Sequence, residues 1–99
     1  MLLIVGTIRL PPENVRHARA AMERMVLASR AEDGCPEYSY SEDVLESGLI
    51  RVQELWRDQF SLDRHWDSTH IAEWRAQWPA LEITDRNLQC YQVSGPTRA

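Results

Sequence analysis

The order of apolar runs along this chain predicts an α+β fold: a ferredoxin-like β-α-β-β-α-β sandwich, a four-stranded antiparallel sheet with helices on one face. Three observations predict it. The chain opens on an apolar, β-branched run, Leu2 to Leu10, closed by Pro11-Pro12. Two stretches with helical spacing of apolar residues follow, one before and one after the middle of the chain. Between them lie two short alternating runs joined by Glu46-Ser47-Gly48, the pattern of an antiparallel hairpin. Right-handed crossovers in two β-α-β units place both helices on the same side of the sheet.

Leu2 to Leu10 is apolar on both parities, as a strand covered on both faces would be. Gly6 interrupts it and marks a bulge or a close approach. Pro12 and Glu13 suit the first turn of a helix, where a missing N–H is harmless and negative charge meets the positive dipole end. Val15, Ala18, Met22, Met25, Val26 and Ser29 recur at helical spacing, and the helix is expected to run to about Glu32, stopped by Asp33-Gly34. Cys35 to Val44 alternates weakly, with Tyr38 and Tyr40 on one parity. Leu49 to Trp56 alternates more clearly, and Ile50, Val52, Glu54 and Trp56 share a face. Ser61 is the expected cap of the next helix, which carries Leu62, His65, Trp66 and His70. A break is expected near Ser68-Thr69, after which Ile71, Trp74 and Trp78 continue the apolar stripe. Thr84 to Val93 reads as the last strand. A single domain over residues 1–99 is expected, its core spanning about 2–93 and residues 94–99 forming a tail.

Composition narrows the function classes. The chain has a net charge of −4, no lysine and no basic stripe, which argues against nucleic acid as a partner. No apolar run approaches the length of a bilayer span, so no membrane partner is expected. The opening run lacks the basic region and cleavage site of a secretory signal, and a cytoplasmic location is the expectation. Cys35 and Cys90 have neither metal spacing nor a CxxC motif and read as reduced, packed thiols. In so small a domain the uncovered sheet face is expected to be apolar and to pack against a second copy, giving a homodimer with a cleft in each protomer.

The candidate chemistry gathers in Glu54 to His70. Glu54 and Trp56 share a strand face, and His65 stands on the following helix. His65 is the first candidate for a base or anion partner, because imidazole exchanges protons near neutral pH; the same residue could equally hold its helix on the sheet. Trp56 and Trp66 could form a wall for a flat ring or pack in the core, and Tyr38 could anchor a substrate oxygen or simply pack. Glu54 is either buried and paired, with Arg51 of a partner chain or with Arg86, or lies at the rim. His70 stands five residues after His65, off one clean helical face. No third ligand has suitable spacing to make a metal site of this pair. His17 reads as a surface residue.

Glu54-Leu55-Trp56, then His65 nine residues on, then Ser68-x-His70, resembles the signature of the antibiotic biosynthesis monooxygenase family of the dimeric α+β barrel superfamily. Gly34-Cys35-Pro36-Glu37-Tyr38 and the opening strand extend the likeness to roughly residues 2–93. The resemblance implies a homodimeric barrel and, for activity, a monooxygenase that uses O2 as co-substrate with neither metal nor flavin. Its substrate would be a small phenol, quinol or anthrone-like aromatic compound. His65 would then be catalytic, and Trp56, Trp66, Tyr38, Glu54 and His70 would bind substrate. The alternative is a dimeric small-molecule-binding or stress-response module without chemistry. Haem-degrading relatives use an Asn late in the first strand, a Trp on the second helix and a His further along it. Here those places hold Thr7, His65 and Arg75, so haem degradation is not expected.

Overall fold

The computed structural model describes all residues from Met1 to Ala99. Its elements run β1 (Leu2–Arg9), α1 (Val15–Arg30), β2 (Glu37–Glu42), β3 (Leu49–Trp56), α2 (Gln59–Trp66), α3 (Thr69–Ala76), α4 (Trp78–Leu81) and β4 (Thr84–Gln92). The strands form one sheet in the order β2-β3-β1-β4, with every neighbouring pair antiparallel. This is the ferredoxin-like α+β arrangement that the element order predicts.

Alternation decides which side chains meet the helices. Leu2, Ile4 and Ile8 of β1 and Ile50, Val52, Glu54 and Trp56 of β3 are buried beneath them. From α1 the buried residues are Ala18, Met25 and Ser29, with Val15, Met22 and Val26 packed at the margin. Gly6 is where β4 comes closest: a β-carbon there would sit 2.0 Å from the carbonyl oxygen of Asn87. The β1–β4 register slips between Thr7 and Arg9.

Several expected boundaries shift for local reasons. α1 is preceded by a 3-10 turn at Pro12–Asn14 and ends at Arg30, so Glu32 lies in the following turn rather than in the helix. β2 is shorter than Cys35 to Val44 because Pro36 has no N–H to offer and the chain bends from Val44, after the Asp43 N–H closes the hairpin on the Leu49 carbonyl at 2.8 Å. Asp58, not Ser61, caps α2: its carboxylate accepts the Ser61 N–H at 2.8 Å, and Ser61 is buried one turn inside. The expected break is at Ser68, which caps α3. A further break before Trp78, beyond the one expected, divides the stretch into three short helices.

The uncovered sheet face is mixed rather than apolar. Leu3, Val5, Leu55 and Tyr91 share it with Ser39, Ser41, Arg51, Gln53, Asn87 and Gln89, as the strand registers require. Cys35 is half-buried, and burial pushes its thiol up to about 11. Cys90 is exposed, because β4 is an edge strand with little above it, so it is not the packed thiol expected.

Candidate functional site

The site begins at a close approach of two turns. Gly34 follows α1 with φ +83°, a conformation that favours glycine. Its carbonyl accepts the Arg57 N–H at 2.8 Å, and a β-carbon on it would lie 2.2 Å from the Ser61 hydroxyl oxygen. The turn after α1 is thereby held against the start of α2, which places Glu32 beside His65. Ser68 sets the other side: its hydroxyl donates to the His65 carbonyl at 2.6 Å and accepts the Ile71 N–H at 3.4 Å. That bend carries His70 back toward the same carboxylate.

His65 is buried, with 2% of its side chain exposed. Its Nδ1 lies 2.5 Å from Glu32 Oε2, and His70 Nε2 lies 2.9 Å from the same oxygen. On its other side, His65 Nε2 lies 3.4 Å from the Tyr38 phenol and 4.0 Å from Glu54 Oε1. A carboxylate can only accept here, so Nδ1 carries the ring proton and Nε2 presents its lone pair to Tyr38. Burial pushes the His65 pKa below its usual value against the opposing pull of Glu32, which keeps the ring neutral at neutral pH.

Glu54 is buried as well. Its partner is the Trp56 indole N–H, donated at 2.9 Å, and burial raises its pKa despite that bond. Arg51 turns away to Asp43 at 2.7 Å, and the Arg86 guanidinium acts on Glu54 only through its field. Burial likewise raises the phenol of Tyr38 far above its usual range and pushes that of Tyr40 up to about 12, so both remain protonated donors.

A narrow cleft of about 20 Å³, room for roughly one water, opens between the helices and the sheet. Its walls include Tyr38, Tyr40, Glu54, His65, Trp66 and Arg86, together with Trp74 and Trp78. The indole N–H groups of Trp74 and Trp78 are buried and have no hydrogen-bond partner in the chain.

Four residues singled out in the sequence, Tyr38, Glu54, His65 and Trp66, therefore meet at this cleft. Trp66 is 40% exposed and sits at its rim. Trp56 does not line it: the indole is fully buried, packed against His65 with ring centroids 4.6 Å apart and planes tilted by 39°, and bonded to Glu54. His70 lies outside, in the groove between α1 and α3. Glu32 was not legible from spacing. It stands 33 residues from His65, and its only local signal is a position just before the Asp33-Gly34 helix stop. The third group that chain spacing did not supply to the two histidines is thus supplied by the fold.

Residues 1–77 match the family described as antibiotic biosynthesis monooxygenase. The chain belongs to that family. Among relatives, it is 36% identical over 69 residues to the Mycobacterium tuberculosis protein named "Putative monooxygenase Rv0793", an alignment covering 69% of this chain and 67% of that one. It is 26% identical over 93 residues to an uncharacterised Synechocystis protein, covering 94% of this chain and 63% of that longer relative. The solved Rv0793 structure superposes with a TM-score of 0.77 at 26% identity, covering 99% and 97% of the two chains. A Deinococcus radiodurans structure described as "a putative antibiotic biosynthesis monooxygenase" superposes with a TM-score of 0.91, covering 100% of this chain and 98% of that one; at 24% identity it speaks for the fold. In this family member Thr7 has the parity of Leu3 and Val5, toward the uncovered sheet face and away from the cleft. No helix is long and apolar enough to cross a membrane.

Proposed function

We propose that this protein is a cofactor-independent monooxygenase that oxidises a small phenolic, quinol or anthrone-like compound with O2, working as a homodimer in the cytoplasm. The observation that carries the reading is the buried chain Glu32–His65–Tyr38, which ends in a cleft walled by aromatic rings. Membership of the family supports the reaction class.

His65 Nε2 is the base. Glu32 holds the Nδ1 proton in place, keeps the lone pair on the cleft side, and stabilises the imidazolium that forms when Nε2 takes the Tyr38 proton as the Tyr38 oxygen takes the substrate's. The substrate anion then passes one electron to O2. The carbon radical and superoxide combine to a peroxide, whose O–O bond breaks. For an anthrone-like substrate, one oxygen becomes the new ring carbonyl and the other leaves as water with the two hydrogens of the oxidised carbon. The electrons come from the substrate, so the balance requires no flavin or metal.

The protein's part is to bind the ring, hold the proton and stabilise negative oxygen. After the proton transfer the Tyr38 O–H faces the substrate anion, and it and the unpartnered indole N–H groups of Trp74 and Trp78 are the available donors. Trp66 covers the ring at the rim. A cleft sized for one water must open to admit a substrate, and packing against a second copy would then close it from bulk solvent.

The test is oxygen consumption by metal-stripped protein with a panel of quinols, anthrones and catechols. Uptake with at least one compound, lost at least a hundredfold in His65→Ala, is expected. No uptake above background with any compound, or uptake unchanged in the variant, overturns the reading.

A further inference from the structure

The cluster on the far side of His65 has a second capacity. Three atoms of metal-ligand type converge there: Glu32 Oε2, His65 Nδ1 and His70 Nε2, all within 4.8 Å of one another. They come from three separate pieces of chain, the turn after α1, helix α2 and helix α3. Two neutral imidazole nitrogens and one carboxylate oxygen, with further positions left open, are a donor set that divalent zinc and cobalt take in preference to magnesium or calcium. As folded, the carboxylate oxygen accepts hydrogen bonds from both rings at 2.5 and 2.9 Å. An ion between them would need metal–ligand distances of about 2.0–2.2 Å, so the carboxylate oxygen must draw back slightly from both nitrogens. Glu32 stands in a turn and His70 retains 22% exposure, so both can give way without moving a helix, and the ion has a path in from the α1–α3 groove.

We propose that Glu32, His65 and His70 form a site for a divalent ion of the zinc class, and that its occupancy silences His65 as a base. The second half rests on the reading of His65 given above. Its chemistry follows from the tautomer. Without an ion, the ring proton is on Nδ1, bonded to Glu32, and Nε2 offers a lone pair to the cleft. An ion takes the Nδ1 lone pair, so the single proton of the neutral ring must sit on Nε2. No proton is gained or lost by the ring, but the atom facing Tyr38 changes from acceptor to donor. The base is then unavailable while its position is unchanged. The cleft and the ion site lie on opposite nitrogens of one ring, so substrate and ion need not touch.

Binding is measured first, on untagged, metal-stripped protein titrated with Zn2+ by calorimetry and with Co2+ by visible absorption. One equivalent bound is expected, with a rise in Tm, and affinity at least tenfold weaker in His70→Gln, His70→Ala and Glu32→Gln. His17→Ala, on the exposed side of α1, is expected to bind as the parent does. No binding, or binding indifferent to His70 and Glu32 but lost with His17, overturns the site. Oxygen uptake with Zn2+ added is measured second. Uptake is expected to fall with the same midpoint as binding, and His70→Gln is expected to lose that sensitivity whatever its own basal rate. Uptake unchanged by a saturating ion, or raised by one, overturns the silencing. If no compound supports uptake, the oxygenase reading fails while the calorimetry still decides the ion site.

Discussion

Trp56→Phe isolates the contact between the core and the site. The indole is fully buried and donates to Glu54 Oε1 at 2.9 Å, and the Glu54 side chain is only 5% exposed. Phenylalanine keeps most of the packing and deletes the donor. Two costs result: a cavity, which does not depend on pH, and a lost hydrogen bond, which does. A hydrogen bond to a charged acceptor contributes about 1.5–3 kcal/mol and one to a neutral acceptor about 0.5–1.5 kcal/mol. The variant's deficit should therefore be roughly 1–1.5 kcal/mol larger where Glu54 is ionised than where it is protonated. Linkage gives the same sign. Burial holds the Glu54 pKa above its ordinary 4.5, so in that window the folded state binds more protons than the unfolded one, and Glu54 subtracts stability as pH rises from 4.5 through its folded pKa. Removing the indole N–H raises the folded pKa further and enlarges the subtraction. At about 4–8 °C per kcal/mol for a domain near this size, the Tm gap between variant and parent should widen by roughly 4–12 °C as pH rises from below 4.5 through the folded-state pKa of Glu54. Thermal unfolding of both proteins, in chelator at matched ionic strength, measures it. A gap independent of pH would refute the assignment of Glu54 as the buried, charged partner of Trp56.

Other perturbations separate positioning from stability. Glu32→Gln should keep the fold and lower kcat for any oxidised compound about tenfold to a hundredfold with little change in KM, because glutamine can still accept from Nδ1 but cannot stabilise the imidazolium; an equal loss in KM alone would argue for substrate binding instead. Gly34→Ala should destabilise by about 2 kcal/mol or more through its positive φ and the clash with Ser61, and should also lose activity, since it drives the Glu32 turn away from α2; chemical denaturation measures the first part. Ser68→Ala should lower stability by about 1 kcal/mol, the usual worth of a helix cap, and a loss under a few tenths would show that the α2–α3 bend does not depend on it.

Much of the fold was legible because it follows from periodicity. Alternation through Ile50, Val52 and Trp56 and helical spacing through Ala18, Met25 and Ser29 are local signals of burial, and the element order leaves few topologies. The cap of α2 was misplaced for an equally local reason: Asp58 and Ser61 are both good caps three residues apart, and only the buried contact of Ser61 under Gly34 excludes the later one. The uncovered sheet face was expected to be apolar from the small size of the domain, whereas the face belongs to all four strands, and beside Leu3, Val5, Leu55 and Tyr91 they place Ser39, Ser41, Arg51, Gln53, Asn87 and Gln89 on it. The site was half legible. Tyr38, Glu54, His65 and Trp66 could be found by strand parity and residue type. Glu32 could not, because nothing at its own position announces that two turns distant in the chain will touch.

The placement of the two carboxylates explains why a buried acid is tolerated so near the base. Glu32 stands at one nitrogen of His65, and Glu54 Oε1 lies 4.0 Å from the other, with no cation closer to it than that ring. While His65 is neutral, Glu54 is a buried group with one donor, and burial outweighs the Trp56 bond and the Arg86 field, so its pKa stays raised. Where Glu54 is ionised, protonation of Nε2 makes the ring a cation between two carboxylates. Two unit charges at that distance interact by up to about 4 kcal/mol at an effective dielectric constant of about 20. This stabilisation exists only after proton transfer, so it raises kcat rather than tightening ground-state binding. Glu54→Gln keeps an acceptor for the Trp56 indole and deletes the charge. Its stability should equal or exceed the parent's above pH 4.5, since an uncompensated buried charge is gone, while kcat falls about tenfold to a hundredfold, a fraction of the upper bound. Stability and turnover moving in opposite directions is what the geometry demands. A variant that lost both together would show Glu54 to be part of the scaffold alone.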